Sequence, residues 1–519
     1  MATSRTWIRN VASGYLDNAV GALIFIFLTP LIVRHVGVDG YAVWVLCHLV
    51  GYYLELADLG LGEAQVRFHA RYAARGRMSA LQDLTASIMS ALTIGGIIAA
   101  LAGIALALSP YVGWLQVPAG IEFDLRAVLV IVALQVLVGV PGRALDNIYE
   151  GAERFDLQNT RSIAIQVLAA AAQVTLLTLG YGVLALAIVE LGALCLTLLI
   201  DLYVVNRILP GLLTVPAKFH RRIWRRIRHF SIWSSIDDLV DAATSYIDEF
   251  LLVALLPFAQ LTPYALAGSA AGVLVAATQP ITDTILPAAT NLHARRRKEE
   301  LVNLLLRGTR TVVAIAAPLA IFLCFFGAPL LHAWVPESAA FASAPLTTLL
   351  TLSALVSVFL WPSSIVLTAV GRIRQLVMLL LIEIALDIAL ILTLSPRYGL
   401  TGIAAAGLIS NAAIGLMIEM PLIARVVGLG TAELLRATLF RLTLASLPVI
   451  ACAFWIATRL PVTGWLGLAG AAAAITITYL AGLLTVGVTR EERAQLRLWA
   501  SALPRGRRRR RWPPRPPKA

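Results

Sequence analysis

Acidic side chains recur at helical spacing inside stretches that are otherwise apolar. Ser234, Asp237, Asp238, Asp241, Thr244, Ser245 and Asp248 follow one another mostly three or four residues apart. That spacing draws one polar stripe along a helix. Glu55 and Asp58 lie one turn apart, as do Arg143 and Asp146, and Asp17 and the pair Gln279 and Asp283 sit in further apolar stretches. A carboxylate in hydrocarbon is costly and usually faces a bundle interior or a wet cavity. Such a set can bind a cation, relay a proton or hydrogen-bond the hydroxyls of a polar solute. The competing use is structural. Asp17, Asp248 and Asp283 lie near the ends of their stretches, where a side chain can pair or reach an interface, and Arg143 can pair with Asp146. Asp58 and Asp241 lie deeper and read as cavity lining. Glu190, Glu383, Asp387 and Glu419 are further acids of this kind, more scattered. His48 stands alone among apolar neighbours and reads as a packing residue.

The elements that must hold these residues are membrane-spanning helices. The chain of 519 residues is 59% hydrophobic and 14% charged, with mean hydropathy +0.82, whereas a soluble domain is about 25% charged. Fourteen stretches are long enough to cross a bilayer: 14–33, 41–62, 85–108, 127–148, 161–179, 182–205, 231–256, 263–288, 309–327, 344–369, 374–395, 401–424, 441–458 and 464–487. Uninterrupted stretches of this length exclude a membrane β-barrel, whose strands alternate over about ten residues. The opening residues have no cleavage-like site after a short apolar core, so the first stretch reads as a retained span. Cys47, Cys195, Cys324 and Cys452 lie within spans without paired spacing and read as packing residues, neither disulfides nor metal ligands.

Loop charge supplies the orientation. The loops after alternate spans, with their edges, hold only Arg34, Arg126, Arg397 and Arg459 of the 42 Lys and Arg residues. The others cluster at the opposite ends, which the positive-inside rule assigns to the cytoplasm together with both termini. An even number of spans satisfies this. The net charge of +13 follows the membrane and implies no nucleic acid. Two basic segments belong to the same side. His220–Phe230 spaces Ile223, Trp224 and Ile227 at helical intervals among arginines, as suits a helix on an anionic leaflet. Arg505–Ala519 cannot build a core and is expected to be disordered, attracting anionic lipid.

A repeat underlies the spans. Tyr41 and Tyr264 each open a similar tripeptide, Gly151-x-x-Arg154 matches Gly371-x-x-Arg374, and Tyr181 matches Tyr398, at offsets of 223, 220 and 217 residues. Pro141 and Pro362 lie in the preceding spans. Three ordered matches imply two six-span copies in one orientation, a parallel repeat. The expected organisation is an N-terminal lobe at 1–205, a basic amphipathic linker at 206–230, a C-terminal lobe at 231–425, an added helix pair at 426–488 and a basic tail at 489–519. Pro30, Pro141, Pro280, Pro287 and Pro362 supply hinges or static kinks.

TPLIVRHVGVDGYAVW, followed by LADLGLGEAQVRFHA, resembles the opening of the bacterial polysaccharide, or lipid-linked oligosaccharide, flippase family (O-antigen flippase-like). That family belongs to the multidrug/oligosaccharidyl-lipid/polysaccharide exporter superfamily. Pro30, Gly37, Tyr41, Trp44, Asp58, Gly60 and Arg67 carry the likeness. Ala42 stands where the family often has Gly. YEGAERFDLQN (149–159) and IDEFLLVALLPFAQLTPYALA (247–267) are similar to further family segments, with Asp248 at an acidic position. The resemblance implies an all-α polytopic membrane protein of the bacterial inner membrane. Its expected work is to move a polyprenyl-diphosphate-linked oligosaccharide, a precursor of polysaccharide or lipopolysaccharide, from the cytoplasmic to the periplasmic leaflet by alternating access. Arg67 and Arg143, near the cytoplasmic mouth, could take the diphosphate, because guanidinium meets phosphate oxygens as a fork. Asp17, Glu55, Asp58, Asp146, Asp237, Asp241, Asp248 and Asp283 would line the cavity or couple transport to an ion. No G-x-x-x-x-G-K-[ST] motif is present, so an ion gradient or consumption of the product would drive the cycle. No cofactor or metal is expected. Glycan polymerase or assembly proteins and anionic lipids are the expected partners. Two alternatives remain, a cation-coupled drug antiporter of the same superfamily and a membrane glycosyltransferase, polymerase or ligase. The short external loops, one of which holds His332 alone, offer no His/Asp cluster and count against an enzyme.

Overall fold

The computed structural model describes residues 4–58, 60–73, 75–114, 117–118, 120–213, 239–240, 242–244, 246–338, 343–462 and 464–487. All regular structure among them is helical, and twelve helical segments are long and apolar enough to cross a membrane. The first helix, α1 (Ser4–Glu55), contains two expected spans. Its apolar run Ala12–Asp58 has 47 residues. At 1.5 Å per residue that is about 70 Å, more than twice the roughly 30 Å hydrocarbon core. Gly37, at φ 77° and ψ 174°, breaks the helix between the two, in a conformation that a side chain disfavours.

A 3₁₀ turn at Leu56–Asp58 leads to α2 (Leu61–Ala73), a short helix absent from the sequence expectation. It is followed by α3 (Met78–Leu108), α4 (Glu122–Gly151), α5 (Phe155–Thr178) and α6 (Val183–Ile208). The expected span 231–256 is described only in part; residues 246–255 form α7. Then come α8 (Leu261–Ala294), α9 (Lys298–Trp334), α10 (Ala344–Ala369), α11 (Ile373–Tyr398), α12 (Leu400–Ile414), α13 (Met420–Val427), α14 (Thr431–Arg459) and α15 (Gly464–Gly482). A π turn, Gly415–Glu419, joins α12 to α13 as one crossing.

Helices α1–α6 pack mainly with one another, and so do α8–α13. The pair α14 and α15 packs on α9. The cores show how the two bundles meet. One core joins them, running from Val33, Tyr41 and Leu129 through Phe258, Leu266 and Leu346 to Ile403, all at the end whose loops hold few basic residues. At the other, arginine-rich end the cores are separate. One is built on Leu61, Leu84, Leu145 and Tyr149, the other on Leu305, Phe359, Ile423 and Leu434.

The turns at the basic end repeat between bundles. The N–H groups of Arg77, Arg154, Arg297, Arg372 and Leu429 return to the carbonyls of Tyr72, Tyr149, Leu292, Leu367 and Ala424 at 2.8–3.1 Å, closing each helix in the manner of a Schellman turn. The left-handed residues are Gly76, Glu153, Arg296, Gly371 and Gly428. Turn geometry therefore matches Glu153 with Gly371 and Arg154 with Arg372, two residues away from the pairing of Gly151 with Gly371 and Arg154 with Arg374. Gly151 has another use: a Cβ there would come within 2.7 Å of the His69 ring.

Candidate functional site

The two bundles meet at the end that carries the shared core, where the Thr262 hydroxyl donates to the Val38 carbonyl at 2.6 Å and Trp334 Nε1 donates to the Ile26 carbonyl at 2.7 Å. Trp334 also tilts against Phe25, centroids 5.5 Å apart. Deeper, the Tyr53 hydroxyl donates to the Ala242 carbonyl at 3.1 Å. The Tyr53 and Phe250 rings meet at 4.9 Å, and the Tyr52 and Tyr246 rings at 4.8 Å. Beyond these aromatics, toward the basic end, the wall of the first bundle carries charge. The break at Leu56–Asp58 turns Glu55 and Asp58 toward α4, where Arg143 Nη2 lies 2.5 Å from Glu55 and Nη1 2.9 Å from Asp58. Glu55 and Arg143 are 43% and 38% exposed, so solvent reaches them. Two carboxylates on one guanidinium leave a single negative charge.

A second network lies behind the first. Arg161 on α5 meets Asp146 at 2.9 Å and pairs with buried Asp201 on α6. The Tyr149 hydroxyl donates to Asp201 at 2.9 Å, and the guanidinium stands over the Tyr149 ring. Arg143 therefore pairs with Glu55 and Asp58, and Asp146 with Arg161, so the alternative in which Arg143 pairs with Asp146 does not hold. The two stand near one another on α4, but Arg143 turns to the end of α1 and Asp146 to α5. Arg161 and Asp201 escaped the sequence reading because both lie near helix ends, where charges ordinarily serve as rim residues.

The second bundle is built otherwise. Asp248 accepts a hydrogen bond from the Tyr264 hydroxyl at 2.8 Å and stands beside Asp387. Ser410 donates to Asp387 at 3.2 Å, and Ser364 donates to Glu419, at the end of the π turn, at 2.7 Å. Glu383 stands one turn before Asp387 and within the field of Glu419. None of these carboxyl groups has a cationic partner among the described residues. Two carboxyl groups brought together without a cation favour a proton or a bound cation between them.

The other sequence candidates are dispersed. Asp17 accepts from Gln166 Nε2 at 3.0 Å, within the first bundle. Arg67 lines, with Asp58, Asn147 and Glu150, a cavity of about 440 Å³ at the basic end. Asp283 is exposed on α8. His48, expected to pack, instead lies 3.3 Å from Glu190 beside a cavity of about 270 Å³. Asp237 and Asp241, and with them most of the polar stripe, lie outside the described residues, as do the segment 220–230 and the tail 505–519.

Two helical bundles that share a core at one end, with an added helix pair, make up a polytopic membrane fold that solved structures share. An inward-facing multidrug resistance MATE family transporter of the MOP superfamily aligns with TM-score 0.65 at 13% identity, over 78% of this chain and 94% of that one. The lipid II flippase MurJ, in an inward closed conformation, aligns with TM-score 0.64 at 12% identity, over 92% and 98%. A MOP superfamily transporter from Pyrococcus furiosus aligns with TM-score 0.54 at 12% identity, over 82% and 94%. These likenesses establish the fold. No curated protein matches the sequence. The chain belongs to the polysaccharide biosynthesis protein family, whose pattern matches residues 79–337, about half of its length.

Proposed function

We propose that this protein is a flippase that carries a polyprenyl-diphosphate-linked oligosaccharide from the cytoplasmic to the periplasmic leaflet of the bacterial inner membrane. The observation that carries this reading is the pair of bundles, which share one core at one end and keep separate cores at the arginine-rich end, in a chain that matches a polysaccharide biosynthesis family; a cleft between them would open at that basic end. With the basic end in the cytoplasm, the cleft faces the leaflet from which the substrate is taken. The lobes are 1–205 and 231–425, with 426–488 as an added pair, and they rock about the shared core. The fold likeness to a lipid II flippase supports the same reading.

Arg143 is the diphosphate contact and Arg67 stands at its approach. A diphosphate arriving in the cleft competes with Glu55 and Asp58 for the Arg143 guanidinium. The carboxyl set Asp248, Asp387, Glu383 and Glu419 couples the cycle, exchanging its proton for one from the other side or for a cation. Substrate and coupling ion thus occupy different lobes. Cation-coupled antiport of a small molecule is the second reading, favoured by this cation-free carboxyl set.

Flipping of a fluorescent polyprenyl-diphosphate oligosaccharide by the reconstituted protein tests the proposal. Wild type should flip it, and Arg143→Ala should lose most of the rate while remaining folded. Failure of wild type to flip any lipid-linked sugar, with cation-driven export of a small cationic compound, would establish the antiporter instead. Orientation is tested with single cysteines in a Cys-free background. Those in 109–124 and 327–344 should label with an impermeant reagent on spheroplasts, and those in 295–298 should not.

A further inference from the structure

At the basic end of the second bundle a cavity of about 490 Å³ opens among the ends of α8, α9, α10 and α13. It carries His293, Arg296, Arg297, Lys298, Arg372 and Arg425, and no carboxylate lines it. Arg297 is paired with Glu300 at 3.0 Å, and Arg372 donates to Gln375 at 2.9 Å. Arg296, Lys298 and Arg425 have no ion-pair partner among the described residues. Gathering cations around one concave space without counter-charge is unfavourable, because each raises the potential at the others. The arrangement is therefore incomplete without an anion.

The backbone points to the same place. Arg296 holds φ at 56°, the left-handed region that a residue with a Cβ enters only at a cost. At the matching turn of the first bundle, closed by the same bond from Arg77 to Tyr72, the left-handed residue is Gly76. The fold thus accommodates glycine in this turn, and the second bundle spends strain to set an arginine at the cavity. Its volume lies in the range of about 300–1,000 Å³ typical of ligand sites.

We propose that this cavity is an accessory site for a phosphate-bearing anion, separate from the cleft. Guanidinium forks suit phosphate oxygens, and basic pockets between membrane helices suit lipid headgroups. The ligand's phosphate belongs either to an anionic membrane phospholipid or to a soluble diphosphate.

The test uses the full-length protein purified in neutral detergent, with binding followed by thermal shift and titration. One arm adds cardiolipin or phosphatidylglycerol to the micelles, against phosphatidylcholine as control. The other adds inorganic pyrophosphate. The variant pair is Arg296→Asn, which keeps a residue tolerant of the left-handed backbone, with Arg425→Gln. Wild type should bind at least one anion, and the double variant should bind it at least tenfold more weakly while melting unliganded within a few degrees of wild type. Arg425→Lys, which restores the charge, should recover part of the loss. The double variant should cause the same loss in an Arg143→Ala background, so that the loss is not owed to Arg143. Binding of the lipids alone assigns a headgroup, and binding of pyrophosphate alone assigns a soluble phosphate. No binding of either by wild type, or equal binding by the double variant, overturns the proposal.

Discussion

In the first bundle, Glu55 and Asp58 meet Arg143, Asp146 and Asp201 meet Arg161, and Glu190 meets His48; in the second, Asp248, Asp387 and Glu419 meet only hydroxyls and one another. An acid locked to guanidinium has its charge fixed and serves as a wall or a latch. An acid answered by hydroxyls and a second acid needs a proton or a metal cation to be neutral, and that occupant can change. One fold used twice has thus been given a bundle with internal counter-charges and a bundle that borrows them from outside. The same contrast holds at the turns. Glu153 and Arg296 occupy left-handed positions where the other copy has Gly371 and Gly76, so each bundle has departed from the common backbone at a different place.

The largest effect should follow from removing a fixed counter-charge. Arg161→Met leaves Asp201, 1% exposed, and Asp146 without their cation. Breaking a buried pair from one side costs about 3–5 kcal/mol, so the variant should unfold at much lower temperature or fail to accumulate in the membrane. Adding Asp146→Asn and Asp201→Asn should restore most of the loss. A silent Arg161→Met would mean that these acids do not depend on it, and the comparison would break.

Acid should separate the bundles next. His69 on α2 is buried against Gly151, its Nδ1 unpartnered, and burial pushes its imidazole down to about 4. Above about pH 6.5 folded and unfolded states both hold it neutral. As the pH falls from there toward 4, the unfolded chain binds a proton that the folded one refuses, so stability is lost over that window. The second bundle has no such buried imidazole among its described residues and should tolerate the same acid. Proteolysis at pH 5 should therefore cut near α2 before α11, and His69→Leu should remove that preference. Gly151→Ala, which drives a methyl into the same ring, should cost about 1–3 kcal/mol at neutral pH.

The all-α polytopic architecture was legible because spans are written in runs of about twenty apolar residues, and a one-residue error in a boundary changes nothing. The interval 34–40 between the first two expected spans holds the break at Gly37, and the arginines after alternate spans fall at helix ends. Partners were less legible. Arg143 and Asp146, three apart on α4, look like a pair in one dimension, but helix packing sends them to α1 and α5. Asp387, Glu419 and Asp248 sit on three segments more than thirty residues apart in sequence, and only the folding of α11, α12 and α7 together makes them a set. A left-handed arginine at 296 has no sequence signal beyond its place after a helix that ends in Asn-Leu-His-Ala.

Arg143 tests whether a latch differs from a wall. Its pair is well exposed, so Arg143→Met should cost about 1 kcal/mol or less in stability, far below Arg161→Met, while flipping is lost. Arg143→Lys keeps the charge without the planar fork and should retain the fold but weaken polyprenyl-diphosphate binding by up to about tenfold, or roughly 1.4 kcal/mol. Equal stability losses at Arg143 and Arg161, with flipping intact in Arg143→Lys, would make both merely structural.

The smallest effect on the fold should come from the second bundle, where it also matters most to the comparison. Asp387→Asn replaces a carboxyl by an amide of the same shape. The amide oxygen can still accept from Ser410, and the amide N–H₂ can donate to Asp248, which removes the need for a shared proton. Stability should change by less than about 1 kcal/mol, within the usual net value of one hydrogen bond. What should disappear is the response to the gradient. In proteoliposomes, a proton or sodium gradient should accelerate flipping by wild type and leave the slower, downhill exchange of Asp387→Asn unchanged. Asp248→Asn should behave alike, and the double variant should be no worse than either single one, because the two act as one site. If Asp387→Asn instead destabilises the protein as strongly as Arg161→Met does, the second bundle's acids are fixed structural groups too, and the difference between bundles is one of partner type alone.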